Sequence, residues 1–325
     1  MSTTVRVFET GAPEVMRIDD IEIPSPGRGE VHIRQHAIGV NFIDTYFRSG
    51  AYPVDVLPFV PGNEGAGEII GVGAGVRDLK LGDRVAYAVS TLGGYAGERI
   101  IAADRLIKLP KSISYEAAGA LMLKGLTAQY LLRRTYRVKA GDTLLIHAAA
   151  GGVGLILCQW AKSLGAAVIG TVGSQEKAKL AKRAGAKHVI LYREGDFAAR
   201  VKEITKGKLC DVVYDGVGKA TFPASLDCLR PLGMFVSFGS ASGPIEAFNL
   251  GLLSTKGSLF ATRPSLFTYS AKREDLEKMS RELFRMVASG AVKIPLHQTR
   301  PLNDVVSVHH ELESRATTGA TVLLP

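Results

Sequence analysis

The sequence predicts an α/β fold in which a doubly wound parallel sheet is joined to a β-rich domain. A strand, a glycine-rich turn, a helix and a second strand follow one another over residues 143–174. Strand and helix patterns then alternate to about residue 262, as expected for a parallel sheet with helices on both faces. Residues 1–120 lack that alternation and show short strand patterns between turn-rich segments.

The stretch 143–174 has the pattern of a dinucleotide-binding unit. Thr143–His147 is an apolar strand, Gly154–Leu164 has helical apolar spacing, and Ala166–Val172 is a second strand. The turn between the first strand and the helix reads A-x-G-x-x-G, with Ala149 where the usual fingerprint has its first glycine. Such a turn lets the backbone approach a pyrophosphate, which the helix N-terminus attracts.

The end of the second strand favours NADPH over NADH. An NAD site usually has an acidic residue there, about 20 residues after the turn, to bind the ribose hydroxyls. This strand instead ends in Gly173-Ser174, and Lys177 follows within one helical turn. A small residue, a hydroxyl and a cation suit a 2′-phosphate, and Tyr192 could add a donor. Glu176 is expected to face solvent, and a solvated Lys177 remains an open alternative.

The remaining elements are assigned from the same patterns. The last segments, 296–302 and 320–324, are predicted to return as strands to the β-rich domain. A helix over 116–136 should bridge the two domains, and a short one is expected within 41–48. Further strands are predicted at 5–8, 30–36, 65–72, 81–87, 98–103, 188–192, 211–214, 234–238 and 258–261, and further helices at 175–185, 197–205, 224–229 and 272–289.

Composition excludes several classes of protein. With 46% hydrophobic and 22% charged residues, the 325-residue chain is ordinary for a globular protein of about two domains. No run approaches the ~18 apolar residues of a membrane span. Cys158, Cys210 and Cys228 form no C-x-x-C pair, so no disulfide framework or cysteine-rich zinc site is indicated.

The charge and the N-terminus set two further expectations. The net charge of +9 comes from scattered lysines and arginines that are not interleaved with aromatic residues. This favours a solvated basic surface, or attraction of an anionic cofactor, over nucleic-acid binding. The first residues lack an apolar signal core, and we therefore expect an intracellular, cytoplasmic protein.

Four segments together resemble one superfamily of enzymes. They are AAAGGVG at 148–154, PGNEGAG at 61–67, LGDRV at 81–85 and AIGVNFIDTY at 37–46. Over essentially its whole length the chain resembles the medium-chain dehydrogenase/reductases, and more narrowly their zinc-independent, NADPH-dependent quinone oxidoreductases related to zeta-crystallin.

The resemblance implies a domain organisation and an assembly. It implies a GroES-like catalytic domain at 1–123 and 266–325, a Rossmann NADPH-binding domain at 124–265, and a substrate site in the cleft between them. It also implies a homodimer, joined through the last Rossmann strand near Ser258–Thr262.

The resemblance also implies cofactor contacts, and the loop-rich segment expected to face the nicotinamide offers catalytic candidates. These candidates are Asn41, Tyr46 and Tyr52, as hydrogen-bond donors to the product oxygen, with Lys124 and Arg263 as cationic neighbours. A packing role for the two tyrosines remains equally open. Cofactor contacts are implied at Asn41, Thr127, Ala150, Gly151, Gly152, Val153, Gly173, Ser174, Lys177, Tyr192, Phe238, Gly239, Ser240 and Arg263.

The chain departs from the zinc alcohol dehydrogenases at the metal ligands. Asn41 stands near the position of a ligand cysteine and Asn63 at that of the histidine before Glu64, and residues 85–105 contain no cysteine. Because zinc needs three or four suitable ligands, no metal is predicted. His147 is expected to bond to the backbone, and the pair at 309–310 to lie on a surface helix.

The function predicted from the sequence is the NADPH-dependent reduction of quinones without a metal. A quinone is electron-poor, so the reaction needs mainly proximity and alignment, and the cofactor carries the chemistry. Transfer of a hydride or of single electrons is left open. The alternatives are an enone or alkenal double-bond reductase and, outside enzymes, an NADPH- or RNA-binding structural protein.

Overall fold

The computed structural model describes residues 1–325, which divide into two compact units. Unit 1 comprises Met1–Leu126, Ser270–Phe284 and Ile294–Pro325. Unit 2 comprises Thr127–Tyr269 and Arg285–Lys293. None of the helices has the length and apolarity needed to cross a bilayer.

The chain contains fifteen strands and ten α-helices. The strands are β1 (Ser2–Val7), β2 (Met16–Ile21), β3 (Glu30–Gly39), β4 (Glu64–Val72), β5 (Arg84–Ala88), β6 (Glu98–Ala102), β7 (Ile107–Lys108), β8 (Thr143–Ile146), β9 (Ala167–Val172), β10 (His188–Leu191), β11 (Cys210–Asp215), β12 (Leu229–Ser237), β13 (Phe260–Thr262), β14 (Leu296–Pro301) and β15 (Ala320–Leu324). The helices are α1 (Phe42–Ser49), α2 (Tyr115–Tyr130), α3 (Gly152–Ser163), α4 (Gln175–Arg183), α5 (Phe197–Ile204), α6 (Ala224–Asp227), α7 (Gly251–Thr255), α8 (Leu266–Tyr269), α9 (Arg273–Ala288) and α10 (Val305–Glu313).

Unit 1 is built on a seven-stranded sheet that uses both ends of the chain. Its order is β14-β15-β3-β4-β5-β7, with β6 paired to β3, and a separate antiparallel pair is formed by β1 and β2. The C-terminal strand β15 pairs antiparallel with β3, which confirms that the last segment returns to the β-rich unit. Along β3 the buried side chains largely alternate with partly exposed ones, as expected for a sheet with one face on the core.

Unit 2 is a six-stranded parallel sheet in the order β10-β9-β8-β11-β12-β13. Numbered along this unit, the strand order is 3-2-1-4-5-6, so the direction of winding reverses between β8 and β11. Five of the six residues of β9 are buried, as expected for a parallel strand covered by helices on both faces. Ligands of such sheets bind beyond the carboxyl ends of the strands near this reversal.

The structure corrects three local expectations. The helix predicted over 116–136 ends as an α-helix at Tyr130 and continues as a π-helical turn over Leu131–Thr135. The sequence did not predict strands β2 and β7, because neither has a clear apolar pattern. Strand β2 is largely exposed, and β7 has only two residues. Helix α10 was expected to carry His309 at the surface, but the side chain of His309 is fully buried.

Candidate functional site

The glycine-rich turn of unit 2 leaves the start of α3 without a side-chain cap. Ala148 takes a left-handed conformation with φ 51°, and Gly151 is the N-cap of the helix. Because glycine has no side chain to accept from the first helical N–H groups, these donors remain available to an anion. A Cβ on Gly154 would lie 2.4 Å from the carbonyl oxygen of Ala148, so only glycine permits this close return of the helix.

The alanine at the first position of the fingerprint is accommodated by a glycine on the next strand. Ala149 is fully buried, and its Cβ lies 2.7 Å from where a Cβ on Gly170 would be. The absence of a side chain at Gly170 in β9 therefore makes room for the methyl group at Ala149. The A-x-G-x-x-G turn thus keeps the close strand–helix packing of the usual fingerprint.

The residues predicted to recognise a 2′-phosphate come together at the end of β9. Ser174 is the N-cap of α4, and its Oγ accepts from the backbone N–H of Lys177 at 3.3 Å. A Cβ on Gly173 would lie 2.7 Å from the Tyr192 hydroxyl oxygen, so the tyrosine ring end lies over this glycine. Glu176 is exposed, as predicted, and hydrogen bonds from its own N–H and from Ser174 lower its pKa.

A second group of predicted cofactor residues lies after β12. The Arg263 guanidinium donates to Ser237 Oγ at 3.0 Å, to the Gly239 carbonyl at 2.8 Å and to Ser240 Oγ at 3.1 Å. It therefore fixes the loop that carries Phe238, Gly239 and Ser240. Thr127 lies in α2 with 7% of its surface exposed.

In unit 1, Asn41 is held by a buried ion pair. Its Nδ2 donates to Glu64 Oε2 at 2.8 Å and to the Gly39 carbonyl at 3.3 Å. Its Oδ1 accepts from Lys124 Nζ at 2.7 Å. Lys124 Nζ also lies 3.3 Å from Glu64 Oε2 and 3.1 Å from the Val40 carbonyl. Both amide hydrogens of Asn41 are thus directed within unit 1, and its remaining capacity is that of an acceptor.

A second buried polar group adjoins Asn41. Asp44 Oδ2 accepts from the Asn41 backbone N–H at 2.8 Å and from the Tyr95 hydroxyl at 2.9 Å. The Tyr95 oxygen lies 3.0 Å from His309 Nε2. Burial raises the pKa of Asp44 to about 7, against the lowering effect of these hydrogen bonds. Burial and the nearby Arg48 lower the pKa of His309 to about 3.

The two candidate tyrosines belong to one aromatic cluster. The ring centroids of Tyr46 and Tyr52 lie 5.1 Å apart, and the backbone N–H of Tyr52 donates to the Tyr46 carbonyl at 2.9 Å. Phe47 packs edge-on against Tyr52 with centroids 5.6 Å apart. Both tyrosine side chains are partly exposed, so they combine a packing contact with access to solvent.

Comparison with known proteins places this arrangement in a family. The model of the alcohol dehydrogenase GroES-like domain matches residues 27–138, and that of the zinc-binding dehydrogenases matches residues 152–285. The chain is 51% identical to a quinone oxidoreductase of Pseudomonas aeruginosa over 325 residues, which cover 100% of both chains. The chain belongs to the zinc-independent quinone oxidoreductase branch of the medium-chain dehydrogenase/reductase superfamily.

Two further similarities bear on the ligands of this quinone oxidoreductase family. The crystal structure of Escherichia coli quinone oxidoreductase complexed with NADPH matches with a TM-score of 0.98 and 51% identity, over 99% of this chain and 100% of that one. A 2-haloacrylate reductase from a Burkholderia species is 45% identical over 325 residues, covering 98% of both.

The residues at the position of the catalytic zinc in related dehydrogenases do not fit a zinc ion. Asn41 and Asn63 offer neutral amides, and the Lys124 ammonium binds the one carboxylate, Glu64. An ammonium and amide donors are not the deprotonated ligands that zinc requires. No cluster of three or more His, Cys, Asp or Glu side chains could hold a metal ion. The three cysteines are buried and unpaired, and burial raises their pKa values.

The residues of unit 2 do fit a dinucleotide. The uncapped start of α3 can receive a pyrophosphate, and the end of β9 offers the Ser174 hydroxyl and the Lys177 cation. The sequence predicted both features, because the number of residues after the glycine turn places Ser174 and Lys177 at the end of the next strand.

Sequence reasoning missed the side-chain partners of His147. The expectation that the imidazole of His147 bonds to the backbone was wrong. Its Nδ1 lies 2.8 Å from Thr171 Oγ1, and its Nε2 lies 3.0 Å from Ser225 Oγ. These partners come from separate elements, so no local pattern could reveal them. The Lys124–Glu64 pair was missed for the same reason.

Proposed function

We propose that this protein catalyses the NADPH-dependent reduction of quinones. The observation that carries the proposal is the 51% identity to a quinone oxidoreductase over 100% of both chains. A second support is the structural match to a quinone oxidoreductase complexed with NADPH. When bound, NADPH supplies the reducing equivalents, and the chain binds and orients the reactants.

Unit 2 provides the cofactor contacts in this proposal. The N–H groups at Gly152 and Val153, with the backbone of Ala150 and Gly151, bind the pyrophosphate. The 2′-phosphate is bound by Ser174, Lys177 and Tyr192 beside Gly173. Ser174 Oγ accepts from the Lys177 backbone N–H, and its hydroxyl donates to the phosphate in place of the Glu176 carboxylate. Thr127 and the loop fixed by Arg263 complete the set of cofactor contacts. That loop carries Phe238, Gly239 and Ser240.

Unit 1 provides the groups proposed to act on the acceptor. Asn41 was expected to donate to the product oxygen, but its amide hydrogens are already bonded. It is therefore limited to accepting a hydrogen bond, for instance from a hydroxyl or amide of the cofactor. Tyr46 and Tyr52 are the proposed donors to the oxygen that gains charge during reduction. Such donors stabilise a developing negative charge most when they are already oriented.

The proposal is tested by measuring NADPH oxidation with a panel of quinones. Turnover that depends on both NADPH and the quinone is expected. The Tyr46→Phe and Tyr52→Phe variants should each lower kcat if these hydroxyls donate to the acceptor. An absence of turnover with every quinone, despite NADPH binding, would contradict the catalytic proposal and favour a binding protein.

The cofactor preference is tested with the dissociation constants for NADPH and NADH. We expect the wild type to bind NADPH more tightly, and Lys177→Ala to reduce that preference about tenfold by loss of a charge-assisted hydrogen bond. Lys179→Ala, on the exposed side of the same helix, is the matched control and should leave the ratio unchanged. Equal affinity of the wild type for the two cofactors would refute the 2′-phosphate site.

A second candidate reaction is the reduction of an activated carbon–carbon double bond. It is favoured by the 45% identity to a 2-haloacrylate reductase over 98% of both chains. A comparison of kcat/KM for quinones and for 2-haloacrylates or enones decides between them.

The assembly is also a proposal, with β13 as its contact. This strand is at one edge of the parallel sheet, and Phe260 on it is 57% exposed. An edge strand with an exposed apolar side chain is a ready surface for pairing with a second copy about a two-fold axis. We therefore propose a homodimer joined through β13. A cytoplasmic location stays a prediction.

A further inference from the structure

A buried network of polar side chains lies at the carboxyl ends of three strands of unit 2. His147 follows β8, Thr171 lies in β9, and Asp215 ends β11. Ser225 of α6 connects the histidine to the carboxylate, with Oγ 3.0 Å from His147 Nε2 and 3.1 Å from Asp215 Oδ2. None of the four side chains is more than 2% exposed. Nothing in the proposed reaction uses these groups directly.

The network has a defined direction. Asp215 Oδ2 accepts from the Thr221 hydroxyl at 2.7 Å as well as from Ser225. The single hydroxyl hydrogen of Ser225 is directed to Asp215 or to the Thr221 carbonyl at 3.0 Å, so its oxygen accepts from His147 Nε2–H. His147 Nδ1 then accepts from the Thr171 hydroxyl. Burial lowers the pKa of His147, which keeps the imidazole neutral in this tautomer.

The backbone of the same residues adjoins three of the segments assigned to the cofactor at this edge. Ala148, directly after His147, begins the glycine turn, and the Thr171 carbonyl accepts from the Ala149 N–H at 3.1 Å. Two residues after Thr171 comes Gly173. The Asp215 carbonyl accepts from the N–H groups of Phe238 at 2.8 Å and Gly239 at 3.3 Å.

The Asp215 carboxylate orders a further turn of this edge. Its Oδ1 accepts from the N–H groups of Val217 at 2.8 Å and Gly218 at 3.0 Å, which shape the turn that follows β11. Through its side chains and its backbone carbonyls, one group of residues thus connects the glycine turn, the end of β9, the turn after β11 and the loop after β12.

We propose that His147, Thr171, Ser225 and Asp215 are positioning residues for the NADPH site, which hold the cofactor loops of unit 2 in register with one another. The inference rests on the proposed function, because it assigns the network to binding of that cofactor. A buried polar network has a desolvation cost that an apolar core would avoid, and when fully satisfied it fixes one arrangement of the groups attached to it.

The test compares two substitutions at Thr171 by their effect on NADPH binding. Thr171→Val keeps the shape of the side chain and removes the hydrogen bond to His147, leaving a buried Nδ1 without a donor. We expect the Kd for NADPH, measured from its fluorescence, to rise about three- to tenfold, with kcat at saturating NADPH changed less than twofold. Thr171→Ser keeps the hydroxyl and is expected to restore a Kd within about twofold of the wild type.

A matched control separates positioning from general stability. Tyr214→Phe removes a buried hydrogen bond from the same strand as Asp215, the 2.9 Å bond from the Tyr214 hydroxyl to the Leu131 carbonyl. Its Tm should fall as that of Thr171→Val does, while its Kd for NADPH stays that of the wild type. A wild-type Kd in folded Thr171→Val, or an equal loss of affinity in Tyr214→Phe, would overturn the proposal.

Ser225→Ala provides the second variant. It disconnects His147 from Asp215 and should also raise the Kd for NADPH with kcat retained. If neither it nor Thr171→Val folds, the network is required for the fold as a whole and the positioning role is refuted. A wild-type protein that binds no NADPH would instead refute the proposed function, before any variant is compared.

Discussion

Asn41 shows how single residues decide the chemistry of this site. Two contacts allow only one orientation of its amide. Lys124 Nζ lies 2.7 Å from Oδ1, and Glu64 Oε2 lies 2.8 Å from Nδ2. The side chains of Lys124 and Glu64 are 7% and 0% exposed, so removal of either alone would leave an unpaired buried charge. The pair therefore fixes Asn41 as an acceptor.

The carboxyl group of Asp44 makes stability depend on pH. Burial raises its pKa from 3.8 to about 7 in the folded protein. The unfolded chain therefore loses this proton at lower pH, and the stabilisation present below about pH 4 is lost as the pH rises to about 7. Asp44→Asn lacks this ionisation. Its free energy of unfolding, relative to wild type, should increase by about 2–3 kcal/mol from pH 5 to pH 8.

Urea unfolding of both proteins at several pH values measures this difference. The groups that face Asp44 are Tyr95, Lys124, Glu64 and Asn41, with Arg48 and His309 beyond the tyrosine. All of them are shared by the two proteins, so their own titrations largely cancel in the comparison. Parallel pH profiles would show that the carboxyl group ionises in the folded protein as it does in the unfolded chain.

The residues that the sequence revealed are those with a fixed spacing from a local motif. Ser174 and Lys177 follow the glycine turn along one βαβ unit, so their position at the strand end could be predicted. Lys124 and Glu64 come from a helix and a strand about 60 positions apart and meet only through tertiary packing. The same holds for the partners of His147.

At the scale of elements, the packing of β9 against the glycine turn depends on one pair of small residues. A Cβ on Gly170 would lie 2.7 Å from that of Ala149. Gly170→Ala should therefore destabilise the protein by about 1–3 kcal/mol through overpacking, and it should weaken NADPH binding by displacing the turn. The double variant Ala149→Gly/Gly170→Ala should recover most of both losses, because it moves the methyl group from one residue to the other.

Urea midpoints and NADPH titrations of the two single variants and the double variant measure this coupling. Ala149→Gly alone is the control for loss of the methyl group. Additive effects of the two substitutions would show that the contact does not determine the packing at this position.

Elements with a strong period were predicted more accurately than short or exposed ones. The buried strands β8 and β9 were located within one residue at each end, because parallel strands covered on both faces are continuously apolar. Strand β12 begins at Leu229, five residues before the predicted start, since Pro231 and Gly233 interrupt its apolar pattern.

At the scale of the whole molecule, the order of the parallel sheet follows from the order of its elements. Each βα unit adds a strand on one side until β10, and β11 then starts the other side next to β8. Sequence alone indicated six strands and the class of fold. The return of β15 to β3 depends on pairing between residues nearly three hundred positions apart. The strand pattern at 320–324 predicted a return to the β-rich domain but not the strand with which it pairs.

The same strand order leaves β13 at an edge, and this determines the prediction for the assembly. Phe260, which is 57% exposed on β13, should be covered in a homodimer. Phe260→Lys would place a charge in that contact and is expected to shift the protein from dimer to monomer in light scattering at equal concentration. Leu81→Lys is the matched control, since Leu81 is 62% exposed in a turn of unit 1 and should leave the mass unchanged. A monomeric wild type, or a Phe260→Lys protein that remains dimeric, would contradict assembly through β13.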